Sequence, residues 1–364
     1  GPSDMAGISR IQLDTVRSGF DGKTCWVQCR AGTIPAGGAG DHRLPIVVMT
    51  MQKLLLTGSD VFYELNDMRT DDLGKSWVGP VPHPETLGQR RSPDGLETVI
   101  CDATPRWHAA TRRLLSTGHT ASYLGDRLAP DPRRRQTAYT VYDPAARSWT
   151  RWATLEMPDE ESRFFSCGAG SAQRLDLENG DILLPIYFMS REEAVRKDRR
   201  YRAAVARCRF DGSRLTYVEH GTELEAPDPR GMGEPSLTRF QGTFYLTLRN
   251  DVRGYVTKGE DGLHFEPPRP WRFDDGSELG NYNTQQHWVV HSDALYLVYT
   301  RRGLNNDHVF RHRAPLLMAE VDPDRLCVIR STERVLVPER GARLGNFAVT
   351  EVTPQETWVT VSEW

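Results

Sequence analysis

Chemistry in this chain would concentrate where a polar residue opens one strand-like segment after another. Glu234 in "EPSLTRFQGTFYLTLR", Gln285 in "QQHWVVHSDALYLVYTR" and Asn346 in "NFAVTEVTPQETWVTV" hold one equivalent position: a polar group, a strand, a turn, then a second, aromatic-rich strand. Asp102 and the Gly168-Ala169-Gly170 segment fall at that position within a residue or two. A carboxylate such as Glu234 facing a second acid such as Asp102 can share general acid/base work. Arg249 closes one second strand, and "NNDHVFRHRAPL" brings His308, Arg311, His312 and Arg313 together. Strand alternation would set Arg311 and Arg313 on one face, and paired planar guanidiniums are the natural clamp for a carboxylate. His108, His119, His287 and His308 stand near strand starts, where an imidazole can give or take a proton near neutral pH. No HExxH pattern, glycine-rich phosphate loop or GxSxG elbow occurs, so neither a metal nor a cofactor is expected.

The elements that must position these groups are β-strands. "LPIVVMTMQKLLLTG", "DILLPIYF", "TFYLTLRND", "ALYLVYTRR" and "ETWVTVSEW" are short β-rich runs bounded by turns of Gly, Asp, Asn and Pro. Helical periodicity is nearly absent, and "SREEAVRKDRRYRAA" is at most a charged, exposed excursion. The same pattern of polar residue, strand, turn and second strand recurs at Ile46 to Gly58, Asp102 to Gly118 and Gly170 to Phe188. Six copies that cannot each bury both faces alone predict an all-β fold: a six-bladed β-propeller of four-stranded antiparallel blades. The last copy ends at Trp364 after two strands, and "ISRIQLDTV" (Ile8 to Val16) is a spare strand. The expectation is that this N-terminal strand completes the last blade and closes the ring. Residues 6–364 then form one domain, preceded by residues 1–5, "GPSDM", as an expression-tag remnant.

Composition bounds the partners. The chain has 364 residues, a formal net charge of -3 and 38% hydrophobic residues. Acids and bases are interspersed, which argues against nucleic acid and against an anionic membrane surface as partners. No apolar run reaches the roughly 18 residues of a membrane span. The six cysteines are scattered with no CxxC pair and read as buried free thiols. Localisation follows the start: cytoplasmic if Met5 is native, secreted or periplasmic if a signal peptide was removed.

One turn names a family. Thr70 to Trp77, "TDDLGKSW", resembles the Asp-box (BNR repeat) of sialidase-like propellers, with Asp72 accepting from its own turn and Gly74 supplying a left-handed backbone. "KGEDGLHF" and "RFDGSRLTY" are weaker echoes. "GAGSAQRLDLENGDILLPIYF" and "GEPSLTRFQGTFYLTLR" are similar to segments of the bacterial sialidase (neuraminidase) superfamily. The resemblance implies a carbohydrate-active hydrolase, in which Glu234 is the family glutamate and Arg249 a carboxylate-binding arginine. Arg30, in "RAGTIPA", and Arg313 or Arg311 would complete an arginine triad. Asp60 is the nearest match to the family's acid/base aspartate. The nucleophilic tyrosine expected in the last blade is replaced by Asn346 or Phe347, with Tyr282 in "GNYNTQQHW" as a substitute.

The resulting expectation is an exo-acting glycosidase that removes a terminal acidic sugar, sialic-acid-like or uronic. Glu234, Asp102, Asp60, Tyr282 and His287 are its catalytic candidates. Arg30, Arg249, Arg311, Arg313, Gln285, His308 and Asn346 are its substrate-binding candidates. The expected partner is a glycan or small glycoside. A uronate lyase, using Arg to neutralise the acid and His or Tyr to take the proton, is one alternative; a non-catalytic glycan-binding propeller is another.

Overall fold

A computed structural model describes residues 7–57 and 61–364. The apolar runs form strands enclosed on both faces: Ile46–Leu55 and Ile182–Met189 are buried along almost their whole length. Strands sandwiched between neighbouring sheets must be apolar in this way. Helix is nearly absent, with two single-turn α-helices, Pro84–Leu87 and Arg191–Ala194, among the described residues.

Among the described residues, six sheets follow one another along the chain. The first runs Thr24–Ile34, Ile46–Leu55, Asn66–Thr70, Val78–Pro82 in simple antiparallel order. The second centres on Glu97–His108, Arg113–Leu124 and Thr137–Asp143, and the third on Ser166–Gly168, Ile182–Met189 and Arg200–Phe210. The fourth carries Gly233–Phe240, Thr243–Arg249 and Tyr255–Gly259. The fifth carries His287–His291, Ala294–Tyr299 and Leu316–Asp322, and the sixth pairs Leu344–Thr353 with Glu356–Glu363. The whole is an all-β, propeller-like ring of sheets.

Apolar clusters fill the gaps between successive sheets. Between the fourth and fifth, Trp271 and Trp288 pack with ring centroids 5.7 Å apart. Burying each such large side chain contributes roughly 1.5–3 kcal/mol. Four cysteines, Cys101, Cys167, Cys208 and Cys327, are buried; Cys25 and Cys29 are half-buried.

The ring closes differently from the expectation. Ile8 to Val16 forms no strand; Ile11, Leu13 and Val16 lie exposed, and Gly7 is held by a hydrogen bond from Ser292. Closure comes from side-chain contact between the first and last sheets instead. The Thr33 and Thr350 hydroxyls meet at 2.7 Å, Thr360 donates to the Cys29 carbonyl, and Trp77 packs on Trp358 at 6.1 Å. The first repeat also begins earlier than the pattern placed it. The described part of that repeat is not a hairpin: Ile46–Leu55 is one strand whose partner is Thr24–Ile34, and Gly58 lies outside the described residues. The polar start of that inner strand, "TCWVQCR", hid it.

Two other expectations shift. The charged excursion shrinks to Arg191–Ala194, capped by Ser190 and Glu193, and its second half begins the strand Arg200–Phe210, whose arginines lie towards its two ends around the buried stretch Ala203, Ala204, Val205, Ala206. Arg311 and Arg313 lie before the strand, not on it. Arg311 and His312 both take left-handed backbone angles (φ 52°), so no alternation orders them.

The Thr70 to Trp77 turn is built as its residues suggest. Asp72 Oδ1 accepts from the Thr70 hydroxyl at 2.8 Å and from the Ser76 amide at 2.9 Å. Gly74, at φ 83°, donates its amide to the Thr70 hydroxyl; a side chain there would press on Trp358. The turn therefore serves packing between the first and last sheets.

Candidate active site

Six polar residues, one in or beside a strand of each sheet, adopt left-handed backbone angles. They are Gln28, Asp102, Ser171, Glu234, Asn283 and Asn346, with φ between 41° and 58°. Register breaks mark the same places in four sheets: Val27/Arg30, Cys101/Thr104, Gly233/Ser236 and Gly345/Ala348. Such backbone costs roughly 1–3 kcal/mol per residue and persists where surrounding structure imposes it. A bulge re-aims a side chain out of the sheet plane, and in these four sheets it turns Gln28, Asp102, Glu234 and Asn346.

Arg30 ties several of these together. It is fully buried, and its guanidinium donates to Asp102 Oδ1 at 2.6 Å, Ser171 Oγ at 2.6 Å and Gln285 Oε1 at 2.7 Å. One side chain thus touches three other sheets. Asp102 also accepts from the Ser171 hydroxyl, and its amide donates to Gln28 Oε1 at 2.8 Å. Burial alone would raise the Asp102 pKa, but the charge of Arg30, then His119 and the hydrogen bonds, more than offset it and hold the group below the usual carboxylate range.

His119 and Tyr187 extend this network. His119 Nε2 lies 3.5 Å from Asp102 Oδ2, and Nδ1 lies 3.4 Å from the Tyr187 hydroxyl. Arg135 donates to the Tyr187 oxygen at 3.1 Å. Burial, with Arg135 adjacent, pushes His119 down to about 3, so it is a neutral imidazole. The Gly168-Ala169-Gly170 segment explains itself here. A methyl at Gly170 would sit 2.2 Å from His119 Nδ1, and one at Gly168 would meet Arg135 and His119.

A second network faces it from the fourth and fifth sheets. Arg249 donates to Glu234 Oε1 at 2.8 Å and to Asn283 Oδ1 at 2.7 Å. Glu234 Oε2 is buried with no hydrogen-bond partner. Arg313 donates to the Asn283 carbonyl at 2.6 Å and, among the described residues, pairs with no carboxylate. Burial, then the neighbouring guanidiniums of Arg249 and Arg311, push Arg313 down to about 9. The charges of both Glu234 and Asp102 act on Tyr187, which lies between the two networks.

Cys101, Asp102 and His119 offer ligand atoms within 4.8 Å of one another. Arg30 already occupies Asp102 Oδ1 and Arg135 adjoins His119, so a third cation would meet two guanidiniums there.

No family model matches the sequence, and no curated protein matches it. Solved structures do. The Hadza microbial sialidase Hz136 aligns with a TM-score of 0.62 at 12% identity, over 92% of this chain and 62% of its own. Trypanosoma rangeli sialidase gives 0.59 at 13%, over 93% of this chain and 53% of its own. The K499G mutant of NanB sialidase from Streptococcus pneumoniae gives 0.58 at 9%, over 98% and 67%.

This is the sialidase fold.

Within the sialidase-like ring, the sequence-derived candidates separate into groups. Arg30, Asp102 and Gln285 meet directly; His287 stands behind them, 3.4 Å from Gln285, bonded to Ser236 and pushed down to about 3 by burial beside Arg30. Glu234, Arg249 and Arg313 meet through Asn283. Asn346 is half-buried at its bulge, and Phe347 beside it is fully buried against His287. Tyr282 bonds to His312, which reaches exposed Asp307, and carries Arg302 over its ring. His308 is not brought into the site: it is an exposed residue paired with Glu339 at 3.2 Å. Arg311 is exposed and lies over Phe310. Asp60 lies outside the described residues.

Sequence reasoning missed Gln28, Arg135, Ser171, Tyr187 and Asn283. The repeat alignment pointed close by: Ser171 directly follows the Gly-Ala-Gly segment, and Asn283 stands two residues before Gln285. Arg135 and Tyr187 gave no signal, one inside an arginine run and the other inside an apolar strand.

Proposed function

We propose that all six sheets are blades of one propeller domain, residues 6–364, and that its axial site makes the chain an exo-acting glycosidase for a terminal acidic sugar. The observation that carries this is Arg313. A buried guanidinium in direct ion-pair contact with no carboxylate among the described residues, Glu234 acting on it only through its charge, and set beside Arg249, is a place prepared for an anion from outside. A sugar carboxylate satisfies it. Arg249 and Arg313 hold that carboxylate, with Asn346 at the rim of the same site and Gln285 supporting it from within the Arg30 network. Arg30, enclosed and with both terminal nitrogens engaged, braces Asp102, Ser171 and Gln285 rather than reaching the sugar. Glu234 supplies the carboxylate at the reacting centre, and its unpartnered Oε2 is the atom free to accept a proton. Asp60 remains the candidate acid for the leaving oxygen, on the sequence pattern. The likeness to sialidases supports the fold part of this reading, and the acidic-sugar part rests on the arginines.

The test is hydrolysis of a panel of fluorogenic α-sialosides and uronosides. Turnover that falls at least a hundredfold in Glu234→Gln supports the proposal. Turnover of neutral glycosides alone, or none on any acidic glycoside, would remove it.

A further inference from the structure

The run Arg133-Arg134-Arg135 divides in two. Arg133 pairs with Asp131 at 3.6 Å, and Arg134 with Glu160 at 3.3 Å and Glu161 at 2.8 Å. Arg135 turns inward and forms no ion pair among the described residues. Of its guanidinium nitrogens only Nη1 has a partner, the Tyr187 hydroxyl at 3.1 Å. We propose that Arg135 is a second anion subsite: besides the carboxylate held by Arg249 and Arg313, the sugar carries another oxyanion, a sulfate, phosphate or second carboxylate, that Arg135 receives. The proposal deepens the glycosidase reading and rests on it for the sugar.

The backbone fixes Arg135 in place. Its amide donates to the Phe165 carbonyl at 3.4 Å and its carbonyl accepts from the Cys167 amide at 3.0 Å, which clamps it between the second and third sheets. Glycine keeps the space around its side chain: a methyl at Gly168 would sit 2.8 Å from Arg135 Cδ. Arg135 is half-buried, so a ligand can reach it from solvent. The carboxylate whose charge acts on it, Asp102, is bonded instead to Arg30 and the Ser171 hydroxyl. Enclosing a guanidinium without a matched anion is unfavourable, and an anion from outside relieves it.

The surroundings are cationic. Tyr201 packs edge-on to Tyr187 with ring centroids 5.2 Å apart. Burial would raise the Tyr201 phenol, but the charge of Arg135, a hydrogen bond with Ser166, then Arg230 and Arg133, more than offset it. Arg200 and Arg230 are paired in parallel register and both are exposed. A guanidinium fork matches the oxygens of a sulfate, phosphate or carboxylate, and binds a neutral hydroxyl more weakly. The subsite also adjoins the reacting centre. A methyl at Gly233, next to Glu234, would meet the Tyr187 ring at 3.8 Å, so one tyrosine links Arg135 to Glu234.

Two measurements test this, one without turnover. Calorimetric titration of the wild-type chain compares sialic and glucuronic acids with their monosulfated, monophosphorylated and carboxymethylated forms. At least one dianion is expected to bind roughly tenfold more tightly than its parent acid, the worth of a charge-assisted contact. The substituent that gains most identifies the group. Arg135→Gln keeps an amide donor for Tyr187 but no charge. It is expected to cut that gain below about threefold, with the parent acid's affinity within about threefold of wild type. Arg135→Lys keeps the charge and is expected to retain a gain above about threefold. With glycosides of the same acids, Arg135→Gln is expected to raise KM for the dianion and not for its parent.

A dianion preference that vanishes in Arg135→Gln, with no glycoside turned over, removes the glycosidase reading and leaves the anion subsite standing. Turnover of singly charged glycosides, with no dianion bound more tightly than its parent by the wild-type chain, overturns the inference and leaves the glycosidase reading standing. Equal losses for parent and dianion in Arg135→Gln would assign Arg135 to holding Tyr187 alone and would also overturn it.

Discussion

The Arg30 guanidinium meets Asp102 Oδ1 at 2.6 Å, joining the first sheet to the second at a point where Arg30 has no solvent exposure. Removing one partner of such a pair leaves the other charge buried and unmatched, at a cost of about 3–5 kcal/mol. Asp102→Asn is therefore expected to lower unfolding free energy by about that amount, measured by urea denaturation. The double variant Asp102→Asn, Arg30→Met is expected to recover part of the loss, because no orphan charge remains.

Acid should weaken the fold through its histidines before it reaches its carboxylates. His119 and His287 are held down to about 3 from an ordinary 6.5, chiefly by burial. Between those values the unfolded chain binds protons that the folded chain refuses, so stability rises with pH there and is lost as pH falls from about 6.5 towards 3. Asp102, depressed in the fold, adds its loss at lower pH still. Melting temperature against pH checks this. His119→Gln with His287→Gln should flatten the upper part of the decline.

Arg313 should trade stability for binding. Its guanidinium is buried in direct ion-pair contact with no carboxylate among the described residues, so Arg313→Met should raise the melting temperature of the free protein by a few degrees. The same change should weaken binding of an acidic glycoside by roughly 10- to 100-fold, the worth of a charge-assisted hydrogen bond. Calorimetric unfolding and inhibition by the free acidic sugar measure the two halves.

Asp72 should matter to folding and not to turnover. Its carboxylate accepts from the Ser76 hydroxyl and amide, which chiefly hold it down to about 2, and from the Thr70 hydroxyl. Asp72→Ala is expected to lower the melting temperature by a few degrees while kcat stays within twofold of wild type.

The strands and the ring were legible because both leave a periodic trace: apolar runs between turns, and a polar residue recurring at the head of a strand pair. Glu234, Asp102 and Asn346 were located that way, and all three prove to share a left-handed backbone angle. Gln285 was placed two residues past the equivalent Asn283 because a polar run, "NYNTQQ", gives no register of its own. Closure of the ring was misjudged since it depends on packing between Thr24–Ile34 and the last sheet, residues far apart in the chain. Tyr187 was invisible for a similar reason: inside "LLPIYF" a tyrosine reads as core, and only the fold reveals Arg135 and His119 against its hydroxyl.

The product made at the axis tests the glycosidase proposal most directly. Acidic glycosides should be cleaved to the free saturated sugar, with no rise in ultraviolet absorbance from an unsaturated product, and Glu234→Gln should abolish the release. An unsaturated uronate product, or sugar release undiminished in Glu234→Gln, would contradict it.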